Sequence, residues 1–265
     1  MKRIAHLAAC LAAWGLLAQP PLALAQAGPT PTPAEQAAAQ AALLKKVEQA
    51  RAGQAPLPRL SVPADAALLR AGFDYRTLQG REFDIEEGSL SICENALAIS
   101  QTYYTIDVEI SDSELADQSP EQARATDANA ARYHDELALG FGYLIDCIGV
   151  LLGPAGRIWD GLDAATQAQA RPGILQARNG AAQMFEGALG LLVQQNYTPA
   201  NKADLLAAMS RNAGAYAAAM TPTQRLRIRS TIAAALEQVP KALRPELVKV
   251  QAVFGLTACE GLCTA

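Results

Sequence analysis

The stretch Thr32-Pro33-Ala34-Glu35 (TPAE) decides the fold class. A threonine placed before a helix accepts a hydrogen bond from the third helical amide, and a proline at the first helical position loses no hydrogen bond. A glutamate three residues on reaches back to the cap amide. The cap-proline signature recurs at Ser119-Pro120-Glu121-Gln122, at Thr198-Pro199 and at Thr221-Pro222-Thr223-Gln224. Helix starts therefore punctuate the chain, and alanine, the best helix former, dominates its apolar residues. The sequence reads as all-α: a helical bundle of about five to seven helices, stapled by disulfides, behind a cleaved signal peptide.

Working outward from TPAE, one helix runs from 33 to about 51 and stops at Gly53. Residues 54–63, QAPLPRLSVP, carry three prolines and read as a linker or an ordered strap. A short helix around 65–70 precedes irregular structure up to Gly88. Cys93, Leu97 and Tyr104 then recur at helical spacing, giving a helix over 89 to about 104. Ile106, Val108 and Ile110 alternate with Asp107 and Glu109, a strand-like period over a short run. From Pro120 to Leu152 the pattern predicts one long helix, stopped by Gly153-Pro154. Further helices are expected from Pro172 to about 195, from 199 to about 220, from 222 to about 238, and from Glu246 to about Phe254. The organisation is a signal peptide at 1–25, then a flexible N-terminus, helix and Pro-rich linker at 26–62, then a helical domain at 63–265.

The signal reading rests on MKRIAHLAACLAAWGLLAQPPLALAQ. Lys2 and Arg3 precede an apolar stretch from Ile4 to Leu17, and Ala23-Leu24-Ala25 offers the small residues of a cleavage site, making Gln26 the first mature residue. LAAC at 7–10 resembles a lipoprotein box, but too few apolar residues precede Cys10. The protein is thus expected to be exported, periplasmic or secreted, with a bacterial composition. Four cysteines remain: Cys93, Cys147, Cys259 and Cys263. An even number in an oxidising compartment argues for disulfides. Cys93–Cys147 with Cys259–Cys263 is the favoured pairing of the three possible, with Gly261 permitting the turn that the second bond needs.

The chain has 22 basic and 26 acidic residues. Removing Lys2 and Arg3 leaves a net charge of −6. That acidity argues against nucleic-acid binding, which needs clustered Lys and Arg. Leu137 to Gly156 approaches the length of a membrane span, but Asp146 lies inside it, so a central buried helix is expected and no stable span after signal cleavage.

Candidate chemistry is sparse. Glu94 and Asp146 each adjoin a cysteine, and a Cys93–Cys147 bond would bring them near each other as an acid–base pair. Their plainer role is separate ion pairs with Arg132, Arg157 or Arg178, and Glu186 is a third acid expected to be partly buried. His134, the sole histidine of the mature chain, reads as an ordinary helix residue facing solvent or an acid. Arg225 and Arg229 share a face near a helix start and form a weak anion-binding candidate. The acidic run 107–117 lacks the spacing of a calcium loop. Neither a metal site nor a cofactor is expected. Short similar stretches around Arg178 (ARNGAAQ) and Arg211 (SRNAGAY) read as chance likeness between Ala-rich helices.

Three functions remain open. The preferred one is a non-catalytic exported protein that binds a protein or small-molecule partner in the envelope or outside the cell. The second is an envelope enzyme using Glu94 and Asp146 on a small anionic substrate. The third is a membrane-active helical protein using the 137–152 segment.

Overall fold

In the computed structural model, residues 29–79, 89–108, 118–256, 258–259 and 261–265 are described. The expected signal peptide at 1–25, Gly88, most of the acidic run and Ile110 lie outside them. Among the described residues there are nine α-helices, three 3-10 turns and no strand. The helices are α1 (Pro33–Arg51), α2 (Pro63–Gly72), α3 (Ser89–Thr105), α4 (Pro120–Arg132), α5 (His134–Gly161), α6 (Ala164–Val193), α7 (Pro199–Ala219), α8 (Pro222–Gln238) and α9 (Arg244–Leu256). The expected capping box forms at Thr32, and boxes form at Ser119 and Thr221 as well, each side chain accepting from the third helical amide.

The count exceeds the sequence expectation chiefly because the helix expected over 120–152 is two. The break is at Tyr133, whose backbone leaves the helical region (φ −116°, ψ 27°) and whose ring is buried against Tyr103 at 5.4 Å. The expected stop at Gly153-Pro154 also fails, since α5 continues to Gly161 with Pro154 inside it. An interior proline costs about 3 kcal/mol. The turns beyond it are held by packing: Trp159 is buried, and Gly156 lies against the backbone of Gly261 and Leu262. Likewise α6 starts at Ala164, capped by Asp163, and not at Pro172. The Asp163 carboxylate accepts from the Thr166 amide, and Gln167 donates to the Trp159 carbonyl. The strand-like run is a helix end where it is described. Val108 donates to the Thr105 carbonyl, and Asp107 has φ 63°. Asn129 of α4 donates to the carbonyls of Tyr104 and Ile106 and so closes the C-terminus of α3.

That break sets the register of the core. Cys93 lies twelve residues before the end of α3, and Cys147 lies thirteen residues after the start of α5. At ~1.5 Å per residue the two arms are nearly equal. The antiparallel pair is therefore stapled by Cys93–Cys147, with Cα atoms 5.8 Å apart. Two turns away, Gly140 packs on Ser100, where a Cβ would collide with the Ser100 hydroxyl. On its other side α5 runs parallel to α7. Asp135 meets Asn201, Gly142 meets Ala208 and Asp146 meets Asn212, a constant offset of 66 residues. Gly142 and Gly149, seven residues apart, let the two backbones approach.

Around this axis sit two cores. One gathers α1, α2, α3 and the first half of α5. There, Gln36 and Gln40 donate to the Gly72 carbonyl, and Gln36 also to that of Asp74. The proline-rich segment is an ordered strap: Tyr103 donates to the Pro58 carbonyl, and the Leu60 amide donates to buried Glu136. The other core gathers α6 to α9 with the second half of α5. Long, apolar α5 has the length and composition of a membrane span, and lies between α3 and α7.

Candidate functional site

A cleft of about 610 Å³ opens between α2, the 3-10 turn Tyr75–Leu78 and the α5–α7 pair. Phe73, Leu139, Tyr143 and Ala208 give it an apolar lining. Arg70, Arg76, Arg211, Asp135, Asp146 and Asp204 supply charge. The parallel packing of α5 and α7 creates this composition, because it places Asp146 of one helix beside Arg211 and Asn212 of the other.

Asp146 is buried. Arg211 grips it two-pronged, Nε to Oδ1 at 3.1 Å and Nη2 to Oδ2 at 2.8 Å, and Asn212 Nδ2 donates to Oδ1 at 2.6 Å. Burial pushes this carboxyl above its ordinary value, while Arg211 and Asn212 pull it back. The Arg211 guanidinium also lies over the Tyr75 ring, 3.7 Å from its centroid. Arg76 is held in turn by Asp74, with Nε 2.9 Å from Oδ1, and that pairing raises the arginine above its usual value.

Only one of the acids expected from sequence is in the cleft. Glu94 is exposed, and the partners of Asp146 are Arg211 and Asn212, so the expected acid pair is not assembled. The expected ion-pair partners Arg132, Arg157 and Arg178 are not used by Asp146 either. Glu186 pairs with Arg227. His134 opens α5, its Nδ1 3.0 Å from the Ala131 carbonyl and its Nε2 3.4 Å from Asp135.

Arg225 and Arg229, the expected anion-binding pair, have different protein surroundings. Arg229 is exposed against Gly255, whereas Arg225 is buried and donates to the Ala258 carbonyl at 3.4 Å. Arg178, also buried, donates from Nη1 to the carbonyls of Leu262 and Cys263. These two arginines hold the C-terminal CEGLC segment. There Cys259 and Cys263 are bonded with Cα atoms 5.3 Å apart, and Gly261 takes φ 57° against Gly156. A side chain at Gly261 would be strained and would press on Gly156 Cα at 3.1 Å.

Sequence reasoning missed Glu136, gave Arg178 an acid as partner where it holds the tail, and gave Arg211 no role. The one signal was the Arg-Asn echo, since both pairs sit at helix junctions: Asn212 binds Asp146, and Asn179 accepts from Gln224. Among the described residues, no group of three or more His, Cys, Asp or Glu side chains is placed to hold a metal ion. In comparisons with family models, curated proteins and solved structures, nothing matches this chain.

Proposed function

We propose that this is an exported, non-catalytic protein that holds a small-molecule ligand in the cleft between α2 and the α5–α7 pair. The observation that carries this reading is the cleft itself: about 610 Å³, with an apolar lining and charged groups fixed by buried partners. Ligand sites combine these features, a concave apolar surface with a few positioned polar groups. Export is supported by the two disulfide pairs, which suit an oxidising compartment. The periplasm or the extracellular space follows if the N-terminal 25 residues are removed as a signal. The binding reading is favoured over the enzyme because the second carboxylate of the acid pair, Glu94, points to solvent and Asp146 is spent on Arg211. It is favoured over a membrane-active role because more than half of the apolar window of α5 is buried by its neighbours.

The test is thermal melting of the purified chain against a panel of small anions, cations and neutral alkyl compounds, with native mass spectrometry of protein from the exported fraction. At least one compound class should raise the melting temperature in proportion to its concentration. A panel without effect, together with a native mass free of any ligand, would overturn the reading.

A further inference from the structure

Resting on that binding reading, we infer that the cleft takes a small monoanion with an apolar body, its head group held by Arg211 and Arg70 and its body lying on Phe73, Leu139 and Tyr143. The argument begins with how Arg211 is held. Its Nε–Nη2 edge is occupied by Asp146, and its face lies on Tyr75. Asp146 is itself fixed by Asn212. A guanidinium constrained on one edge and one face has lost most of its rotamer freedom before any ligand arrives. Its remaining N–H groups on Nη1 make no hydrogen bond to a described residue, and the side chain is 31% exposed. A pre-organised fork of this kind suits planar or phosphate-like anions better than a free lysine would.

Arg211 alone would not favour an anion, because Asp146 balances its charge. Arg70 supplies the excess. It lines the same cleft from α2 and has no ion-pair partner among the described residues. Away from Arg211 the cleft reaches Asp135, eleven residues before Asp146 on α5 and ~16 Å away along the helix. A second negative group on the ligand would be carried toward this carboxylate. The apolar surface between the two ends suits an alkyl or aromatic body.

The experiment compares hexanoate, hexanamide, hexylammonium and adipate, which share a six-carbon chain and differ in end charge. Dissociation constants are measured by calorimetry on the full-length purified chain and on R211K, R70Q and the remote control R157Q. Hexanoate should bind roughly tenfold or more tighter than hexanamide, the worth of a charge-assisted hydrogen bond, and several-fold tighter than adipate. R211K keeps a positive charge beside Asp146 but removes the fork, and should weaken hexanoate roughly tenfold. R70Q should weaken it several-fold, and R157Q should not change it. If R211K does not fold, R70Q, at an exposed position, carries the test. Hexanamide or hexylammonium binding as tightly as hexanoate, or adipate binding more tightly, overturns the inference and leaves the cleft a ligand site. Hexanoate binding that ignores both R211K and R70Q overturns it as well. Silence from all four compounds overturns the inference, and only silence from the wider panel also removes the binding reading.

Discussion

The two cores meet along α5 but are built differently. The N-terminal core is assembled from mixed pieces: α1, the ten-residue α2, a 3-10 turn, a proline strap and α3. It buries many polar groups to hold them, among them Gln36, Gln40, Asp74, Thr77 and Glu136, and it is crossed by the Cys93–Cys147 bond. The C-terminal core is assembled from α6 to α9 and the second half of α5, with Ala181, Ala182, Ala188, Ala213 and Ala217 buried in its interior and an aromatic trio, Phe185, Tyr216 and Phe254, at its centre. Small side chains let the C-terminal helices pack closely, with polar pairs such as Glu186–Arg227 and Gln251 to the Arg229 carbonyl at their margins, whereas the 3-10 turn and the strap of the N-terminal core are tied through their backbone by directed hydrogen bonds. The cleft opens where the two constructions meet.

The sharpest break in that comparison is removal of the N-terminal staple. Cys93→Ser with Cys147→Ser should lower the unfolding free energy by about 4 kcal/mol, since the bond spans 54 residues. A urea midpoint that moves by the equivalent of less than about 1 kcal/mol would mean that the hydrogen bonds alone hold this core. At the seam, Gly149→Ala should cost about 2–3 kcal/mol. Its Cβ would collide with the Asn212 side chain, 2.8 Å from Asn212 Cβ, and would force that residue off Asp146. The readout is again the denaturation midpoint, and an unchanged midpoint would contradict the close α5–α7 approach.

The C-terminal ring should matter less than the first staple. The Cys259–Cys263 bond closes a loop of only 4 residues, so Cys259→Ser with Cys263→Ser should cost at most about 2 kcal/mol. Hydrogen exchange should show the loss confined to the tail and its contacts with Arg178 and Arg225. An effect as large as that of the first pair would make the tail part of the main core. Asn129→Ala removes the donor that closes α3 and should cost about 1 kcal/mol, read as a lowered melting temperature.

The smallest effect is one of pH. Burial raises the Asp146 carboxyl above its ordinary value of 3.8, so the folded state holds this proton more tightly than the unfolded chain does. Its contribution to stability is then fully present below about pH 3.8 and is lost as pH rises through the higher folded value. Relative to Asp146→Asn, the wild type should gain stability on acidification across that window. Denaturant midpoints of both proteins taken across it check the sign, and a wild type that loses ground to the variant on acidification would refute it.

Much of the framework was legible in sequence because capping is local. Thr32, Ser119, Thr198 and Thr221 each bond an amide three residues away, so a four-residue window contains the whole interaction. The breaks were less legible. Pro154 and Pro172 look like stops locally, and Tyr133 looks like helix interior. Their outcome depends on what packs beyond them: Trp159 and Gly156 in α5, the Asp163 cap in α6, and the Tyr103 ring beside Tyr133. The candidate site was the least legible part, since Asp146 was noticed for its neighbouring cysteine and assigned partners that it does not use.

The sequence by itself determined an all-helical chain with its main helix starts, and four cysteines whose number and spacing admitted the two bonds that form. Only the tertiary structure decided that Glu94 faces solvent, that Arg225 and Arg178 hold the tail, and that Arg211 and Asp146 meet in a cleft. The physical reason is range. Caps and turns are fixed by atoms within one helical turn, while Asp146 and Arg211 are 65 residues apart, and Arg178 and Leu262 are 84 apart. Contacts of that separation are set by the register of α5 against α3 and α7, which is fixed by the packing of Gly140, Gly142 and Gly149 and by one disulfide.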